Sequence, residues 1–359
     1  MSDRFIPFCI IEDILKYLPG RSVARFKCVC KSWQTFLTSP CFAAINFRNS
    51  MENSNPNLKV IFSTQDGKFS YFDYEEGKVL PMFLPSKIRY EYTGRCLKIL
   101  GSCNGFLCIS PERTDEVYVW NPYTYEYKIM AAPGGEICGF GYNARCRDYQ
   151  VLTARISESG TQVSVFSLRN NSCKRLGKIP YVLAKDGTER GILVNGALHW
   201  MAFRDGGRDV VLLAYDINTE KFREVPMPNG KKEFIDTMTR RFGTSIRVGV
   251  LQDYLSVSFF ERWPVRTEIW VMANYGEKES WTMYNINHGP RQIVETNVVP
   301  LCLMSKGKEI LLVQERWKAV DFYFYDRDNQ CFRNFKKSGM LTKSFDAITC
   351  IETNISLSP

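Results

Sequence analysis

Histidine is scarce. The chain has two in 359 residues, His199 and His288. They lie far apart, which gives little support to a histidine-based triad or zinc site. His199, within Leu198-His199-Trp200, reads as a packed strand residue, and His288, before Gly289-Pro290, as a loop residue. None of the 13 cysteines forms a Cys-x-x-Cys pair, which argues against a zinc ribbon or a thioredoxin-like redox site. An odd cysteine count without a visible export signal points to reduced thiols in the cytoplasm or nucleus. Glycine-rich phosphate loops are missing too, since Gly134-Gly135 and Gly206-Gly207 stand alone as turns. No apolar run of about 18 residues occurs, so no membrane span is expected. Neither sign of charge forms a block: 47 basic and 38 acidic residues are interspersed, for a net charge of +9. Lys231, Lys232, Arg240 and Arg241 offer a small basic patch but read first as a solvated loop. Nucleic acid is therefore not the expected partner. The carboxylates show no motif, and no enzyme activity, metal or cofactor is expected.

What the chain does have is two patterns in succession. Residues 1–47 carry helical periodicity. Ile10, Ile11, Ile14, Leu15 and Leu18 fall on one stripe, with Pro7 at its start and Pro19-Gly20 as its stop. Ser22 is a candidate N-cap for a second helix bearing Val23, Phe26, Val29 and Cys30, and Trp33, Phe36 and Leu37 continue into a third that Pro40 ends. Cys28 and Cys30 are expected as small buried apolar groups. Three short helices in about 40 residues bury little surface, so such a module needs a partner. An Asn-rich stretch, residues 48–57, reads as a linker.

From residue 58 to 359 the pattern turns to short β-branched and aromatic runs. Asn104-Gly105 and Asn195-Gly196 are strong hairpin signals, because Asn-Gly accepts positive φ at both central turn positions. Lys306-Gly307-Lys308 looks like a third hairpin. Six units repeat in which an aromatic strand end is followed by a polar turn and a second aromatic or apolar residue. They are Phe72 to Val79, Trp120 to Tyr127, Phe166 to Cys173, Tyr215 to Phe222, Trp270 to Trp281 and Tyr325 to Phe332. A period near 50 residues built of short strands is the mark of propeller blades. Each pair is assigned to an outer hairpin, and the Asp or Asn after the first aromatic is expected to close the turn on its own backbone. The fold class predicted is mainly β: a three-helix module followed by a six-bladed β-propeller. A strand at Ala347 to Ile351 is expected to complete the first blade, since closure removes exposed sheet edges. A β-sandwich followed by a second β domain is the competing architecture.

The first 42 residues resemble the F-box. The resemblance is carried by Ile6-Pro7, Ile10 to Leu15, Leu18-Pro19, Arg21 to Trp33, then Ser39-Pro40 and Phe42. Ile6 stands for the usual Leu, Cys9 for the usual acidic residue and Arg21 for the usual Lys; none puts a charge into the apolar stripe. The remainder resembles the plant F-box-associated domain, S-locus F-box-like proteins included. Its carriers are Gly101 to Cys108, Trp120-Asn121-Pro122, Gly139-Phe140-Gly141-Tyr142, Asn195 to Trp200 and Ile269 to Met272, with Tyr275-Gly276, Lys278 and Glu279 to Thr282. Regular kelch double glycines are lacking.

The resemblance implies a non-catalytic substrate receptor of a Skp–cullin–F-box ubiquitin ligase. A Skp-type adaptor would bind Ile6, Pro7, Ile10, Ile11, Ile14, Leu15, Leu18, Pro19, Val23, Arg25, Phe26, Val29, Cys30 and Trp33, and would link to a cullin scaffold. The propeller would hold an unknown target protein for ubiquitination, with S-locus self-incompatibility as one role. About half of the apolar F-box residues are expected to fill the module's own core. Trp263 beside Arg262, and Trp317, are candidate target anchors, since Trp and Arg are common hot spots. The competing functional reading is a stand-alone propeller that binds a glycan, peptide or nucleic acid. A propeller hydrolase ranks third.

Overall fold

The computed structural model describes all residues except 1–5, 17, 19, 39–41, 43–57, 65, 74–77, 93, 113, 132–136, 158–159, 185–189, 205–208, 230–244, 263–264, 288–297, 305–307, 317–318, 335–343, 354–355 and 358–359. The Asn-rich linker, the Lys231–Arg241 cluster, His288 and the Lys306-Gly307 turn fall outside the described residues.

Three helices lead: α1 (Phe8–Leu15), α2 (Gly20–Phe26) and α3 (Lys31–Thr38). The second differs from expectation, because Gly20 opens it and Ser22 lies inside it rather than capping it. α1 ends at Leu15 with Lys16 as its C-cap, before the Pro19-Gly20 signal.

Six antiparallel sheets follow. The first holds β1 (Leu58–Thr64), β2 (Phe69–Asp73) and β3 (Lys78–Met82). After the short helix α4 (Ser86–Glu91), the second holds β4 (Leu97–Cys103), β5 (Phe106–Pro111), β6 (Glu116–Trp120) and β7 (Tyr127–Ala131). The third holds β8 (Ile137–Asn143), β9 (Asp148–Ser157), β10 (Gly160–Ser167) and β11 (Ser172–Ile179). The fourth holds β12 (Tyr181–Leu183), β13 (Ile192–Val194), β14 (Ala197–Arg204), β15 (Asp209–Asp216) and β16 (Lys221–Val225). The fifth holds β17 (Ser245–Leu251), β18 (Tyr254–Arg262), β19 (Val265–Met272) and β20 (Trp281–Asn287). The sixth holds β21 (Val298–Met304), β22 (Glu309–Arg316), β23 (Ala319–Asp326) and β24 (Cys331–Asn334). The last strand, β25 (Ser344–Ile351), returns to the first sheet and pairs antiparallel with β1, setting Phe62 opposite Ala347. The fold is a six-bladed β-propeller whose first blade is completed by the C-terminal strand.

The inner strands meet around the axis in the order β25, β4, β8, β13, β17, β21 and back to β25. Glycine makes that approach close. A Cβ on Gly101 of β4 would sit 2.9 Å from the Phe140 Cβ, and one on Gly141 of β8 would sit 2.2 Å from the Ile217 Cδ1. Between successive blades lie six apolar cores. Phe69, Tyr118 and Trp120 fill the seam of blades 1 and 2, Phe106 and Phe140 the next, and Trp200 and Tyr215 the third. Phe259 and Trp281, then Ile269 and Tyr325, then Phe62, Phe72 and Phe324 complete the circuit. Each sheet therefore buries both faces, which explains why the strands read as apolar runs rather than clean alternation.

Five of the aromatic pairings hold in register: Phe72–Val79, Trp120–Tyr127, Phe166–Cys173, Tyr215–Phe222 and Tyr325–Phe332. In the fifth blade Trp270 opposes Met283, and Trp281 opposes Met272, because the longer connection carries a 3-10 turn over Lys278–Ser280. The turn chemistry is that expected of Asx residues. The Asn121 Oδ1 accepts from the backbone N–H of Tyr123 at 2.9 Å, and the Asp326 Oδ1 from Asp328 and Asn329 at 2.9 Å each.

The fourth blade departs from the repeat. Its inner edge is split, because β12 and β13 both pair with β14. Just ahead of β13, Arg190 meets blade 1, where its Nη1 donates to the Asp346 Oδ1 and its Nη2 to the Ala347 carbonyl, each at 2.6 Å. Blades 1 and 4 face each other in a six-membered ring, so this ion pair spans the axis.

Candidate functional site

The leading helices divide their apolar residues between two sides. Inside, Leu15, Val23, Leu37 and Phe42 are buried, and Ile11, Leu18, Phe26, Trp33 and Phe36 pack against them. Trp33 meets Phe26 edge-on with ring centroids 5.6 Å apart. Outside, Ile6, Ile10, Ile14 and Val29 are 57%, 49%, 55% and 59% exposed. Ile10 and Ile14 are four residues apart and line one edge of α1, and Ile6 lies exposed just before the helix begins. Val29 adds to the exposed aliphatic surface from the turn between α2 and α3. Pro7 stands at the N-cap of α1 with φ −54° and ψ 140°, which leads an extended chain into the helix.

The fourteen residues predicted to meet an adaptor thus separate. Ile11, Leu15, Leu18, Val23, Phe26 and Trp33 belong to the module's core, while Ile6, Pro7, Ile10, Ile14, Arg25, Val29 and Cys30 are exposed. Pro19 lies outside the described residues. Helical periodicity alone put Ile10 and Ile14 on one stripe with Ile11 and Leu15. The second and third helices cover only the Ile11/Leu15 side, so the stripe is cut lengthwise. Cys28 and Cys30 are corrected: both are exposed, not buried. They flank Val29 where the chain turns away from the core. Cys30 sits just before α3, 3.1 Å from the Ser32 Oγ, and that contact lowers its thiol pKa.

Residues 6–44 match the model of the F-box domain, and residues 84–351 match that of the F-box associated beta propeller domain. The chain belongs to the F-box-associated β-propeller family. Among curated relatives, the F-box protein At3g07870 of Arabidopsis thaliana is 27% identical over 312 residues, covering 77% of this chain and 71% of that one. The F-box/kelch-repeat protein At3g23880, also of Arabidopsis thaliana, is 25% identical over 298 residues, covering 78% and 79%. Among solved structures, TolB of Acinetobacter baumannii superposes with a TM-score of 0.50 at 7% identity, over 87% of this chain and 73% of that one. That likeness is one of fold alone.

One charge interaction relates the F-box to the second blade. Lys27, in the turn after α2, has its ammonium pKa lowered by burial, while the Glu126 carboxylate pulls the other way. Glu126 closes the β6–β7 turn, and its Oε2 also accepts from the Leu357 backbone N–H at 3.0 Å. The chain's tail thus reaches the turn that adjoins the F-box. Upstream in that tail the Asn121 Nδ2 donates to the Thr353 carbonyl at 3.1 Å, and Gly105 leaves room for the Thr353 methyl. The F-box-associated motifs Asn104-Gly105 and Trp120-Asn121 therefore hold the closing end of the ring.

The propeller anchors proposed from sequence fall outside the described side chains. Trp263 and Trp317 lie outside the described residues, in the β18–β19 and β22–β23 connections, and the Arg262 side chain is not described either. His199 is a packed strand residue, as its context suggested. Its ring is fully buried, with Nδ1 3.0 Å from the Ile192 carbonyl and Nε2 2.6 Å from the Tyr275 hydroxyl. Burial pushes its pKa down to about 4, so it is neutral and joins blades 4 and 5. Among the described residues no cluster of metal-ligating side chains occurs.

One cleft was not foreseen. It opens where the β8–β9, β10–β11 and β15–β16 turns meet, between blades 3 and 4, and encloses about 400 Å³. Its residues follow no motif: all but Glu220 come from the third blade, and Glu220 is brought in by the fourth.

Proposed function

We propose that the chain is the substrate-recruiting subunit of a Skp–cullin–F-box ubiquitin ligase. The pairing of an F-box with a propeller, shared with F-box relatives, supports a substrate-adaptor role. The observation that carries the reading is the exposure of Ile6, Ile10, Ile14 and Val29. Four large aliphatics half-exposed or more on a module of about 40 residues leave apolar surface that water solvates poorly, and such surfaces mark protein contacts. A Skp-type adaptor covers that surface and joins the receptor to the cullin scaffold. The propeller holds the target protein and catalyses nothing; it raises the local concentration of a target lysine near the conjugating enzyme. The compartment proposed is cytoplasm or nucleus. Self-incompatibility rests on the S-locus resemblance alone, and the proposal does not depend on it.

The test is co-purification of the full chain with a Skp-type adaptor. The wild type is expected to form a stoichiometric complex, and Ile10→Asp with Ile14→Asp to lose it while keeping the thermal transition of the propeller. An intact wild-type chain that ignores the adaptor at high concentration would leave a stand-alone propeller binding module.

A further inference from the structure

The cleft between blades 3 and 4 has the makings of a binding site. Its volume of about 400 Å³ falls in the range of small-ligand pockets, about 300–1,000 Å³. Unlike most such pockets its lining is polar, and the polarity is graded with depth. Two of its residues, Asp148 and Gln150, are 5% and 8% exposed, whereas Arg169 and Lys174 stand in solvent. Asp148 is fixed: its Oδ1 accepts from the Arg169 backbone N–H at 2.8 Å. Gln150 is not satisfied. Its Nε2 reaches only the Cys146 sulfur, at 3.7 Å, and its Oε1 is buried with no hydrogen-bond partner. Burial raises the Cys146 pKa, so that thiol is neutral and adds no charge. Turning the amide over would strand its other end instead, so one end of Gln150 stays unpaired either way.

A buried amide oxygen left unpaired costs about 1–3 kcal/mol. Gln150 lines the cleft with its oxygen shut off from solvent, so a donor that enters meets that oxygen once the side chain turns outward. The occupant's chemistry follows from the walls. The buried groups are an amide oxygen and a carboxylate, both acceptors, and Glu220 adds a second carboxylate, three-quarters buried. The two cations stay at the rim, where Lys174 pairs with Glu220 and the Arg169 Nη1 donates to the Cys146 carbonyl. A buried charge is screened far less than an exposed one, so the Asp148 carboxylate sets the potential at depth while Arg169 and Lys174 set it at the rim.

We propose that this cleft binds the cationic head of an arginine or lysine side chain, donated by the target polypeptide. The guanidinium or ammonium donates to the Gln150 Oε1 and pairs with Asp148, while the exposed Arg169 and Lys174 favour an acidic residue next to it in the target. The cleft also lies on a useful face. In an up-and-down blade the first and third turns share one face, so the cleft opens on the same side as the β6–β7 turn, where Lys27 brings the F-box close. A segment held there lies one blade from that turn. That the donor belongs to a ligase target rests on the receptor reading; the chemistry of the cleft does not.

The experiment uses the full chain and calorimetric titration at low ionic strength. The probes are N-acetyl-arginine amide, N-acetyl-citrulline amide and a hexapeptide with a central Arg-Asp. Saturable binding of the arginine probe is expected, weakened about tenfold for the citrulline probe and about tenfold by Asp148→Asn. Gln150→Leu is expected to weaken the arginine probe by a similar factor while raising the melting temperature, because it removes an unpaired buried amide. A purely structural glutamine would instead lower the melting temperature when replaced. The hexapeptide is expected to bind at least tenfold more tightly than the blocked amino acid. Equal affinity for arginine and citrulline probes, or affinities unmoved by both substitutions, would overturn the proposal. Equal affinity for hexapeptide and blocked amino acid would overturn the polypeptide source and assign a free small molecule. None of these readings involves the adaptor, so failure of adaptor binding and failure of the cleft are separable.

Discussion

The F-box and the propeller treat their apolar residues in opposite ways. The propeller turns every sheet face toward a neighbouring sheet, and the six seams that result leave large side chains such as Trp120, Tyr118 and Phe259 with no exposure. The F-box has too few elements to do this. It shields Leu15, Val23, Leu37 and Phe42 and leaves Ile6, Ile10, Ile14 and Val29 facing out. A ring of six sheets is self-sufficient, whereas three short helices are stable in proportion to what covers them. Exposed aliphatics on the first are incidental, and on the second they form the surface proposed to meet the adaptor.

Breaking that contrast should give graded effects. The largest belongs to the open face: Ile10→Asp with Ile14→Asp should lower adaptor affinity by about a hundredfold or more, at roughly 2 kcal/mol or more for each anchor lost, in a titration with purified adaptor. Next comes the closed side. Trp120→Ala should cost the propeller about 3–5 kcal/mol, read as a lowered denaturation midpoint. Leu15→Ala should cost about 2–5 kcal/mol within the F-box core, enough to unfold that module and lose the adaptor, while the propeller transition stays put. This is why Leu15 is a poor probe of docking and Ile10 a good one.

A smaller effect concerns pH. His199 has its pKa lowered from 6.5 to about 4 by burial. Between those values the unfolded chain binds a proton that the folded chain does not, so stability rises with pH there and is lost as pH falls from 6.5 toward 4. The loss is at most about 3 kcal/mol, and His199→Phe should flatten the melting temperature over that window. Smallest is the β17–β18 hairpin, where Gln252 and Asp253 hold φ of 50° and 60°. Asp253→Gly should raise stability by about 1 kcal/mol, since glycine occupies that region without steric cost.

That hairpin also shows where sequence reading stopped. Asn104-Gly105 and Asn195-Gly196 adopt φ of 51° and 80°, and 49° and 71°, as the dipeptides predicted. Gln252-Asp253 makes the same two-residue turn with no such signal, because the pairing of Leu251 with Tyr254 imposes it. The blade count was legible because each outer hairpin repeats an aromatic and a turn residue locally. The cleft was illegible because Asp148 and Arg169 meet through the pairing of the third blade's strands, and Glu220 joins them only once blade 4 is packed against it. In the F-box, periodicity marked the apolar set but not which members turn outward. That depends on where α2 and α3 lie, and the exposed Cys28 and Cys30 were misplaced for the same reason.

The pairing of β25 with β1 has a bearing on how the molecule is made. Translation delivers the F-box first and the strand that seals the circle last, so the ring stands open by one sheet edge until residues 344–351 leave the ribosome. A message interrupted shortly before Ser344 would yield a product able to occupy adaptors yet lacking a sealed cargo-holder. Such a product would compete with intact receptors for the adaptor.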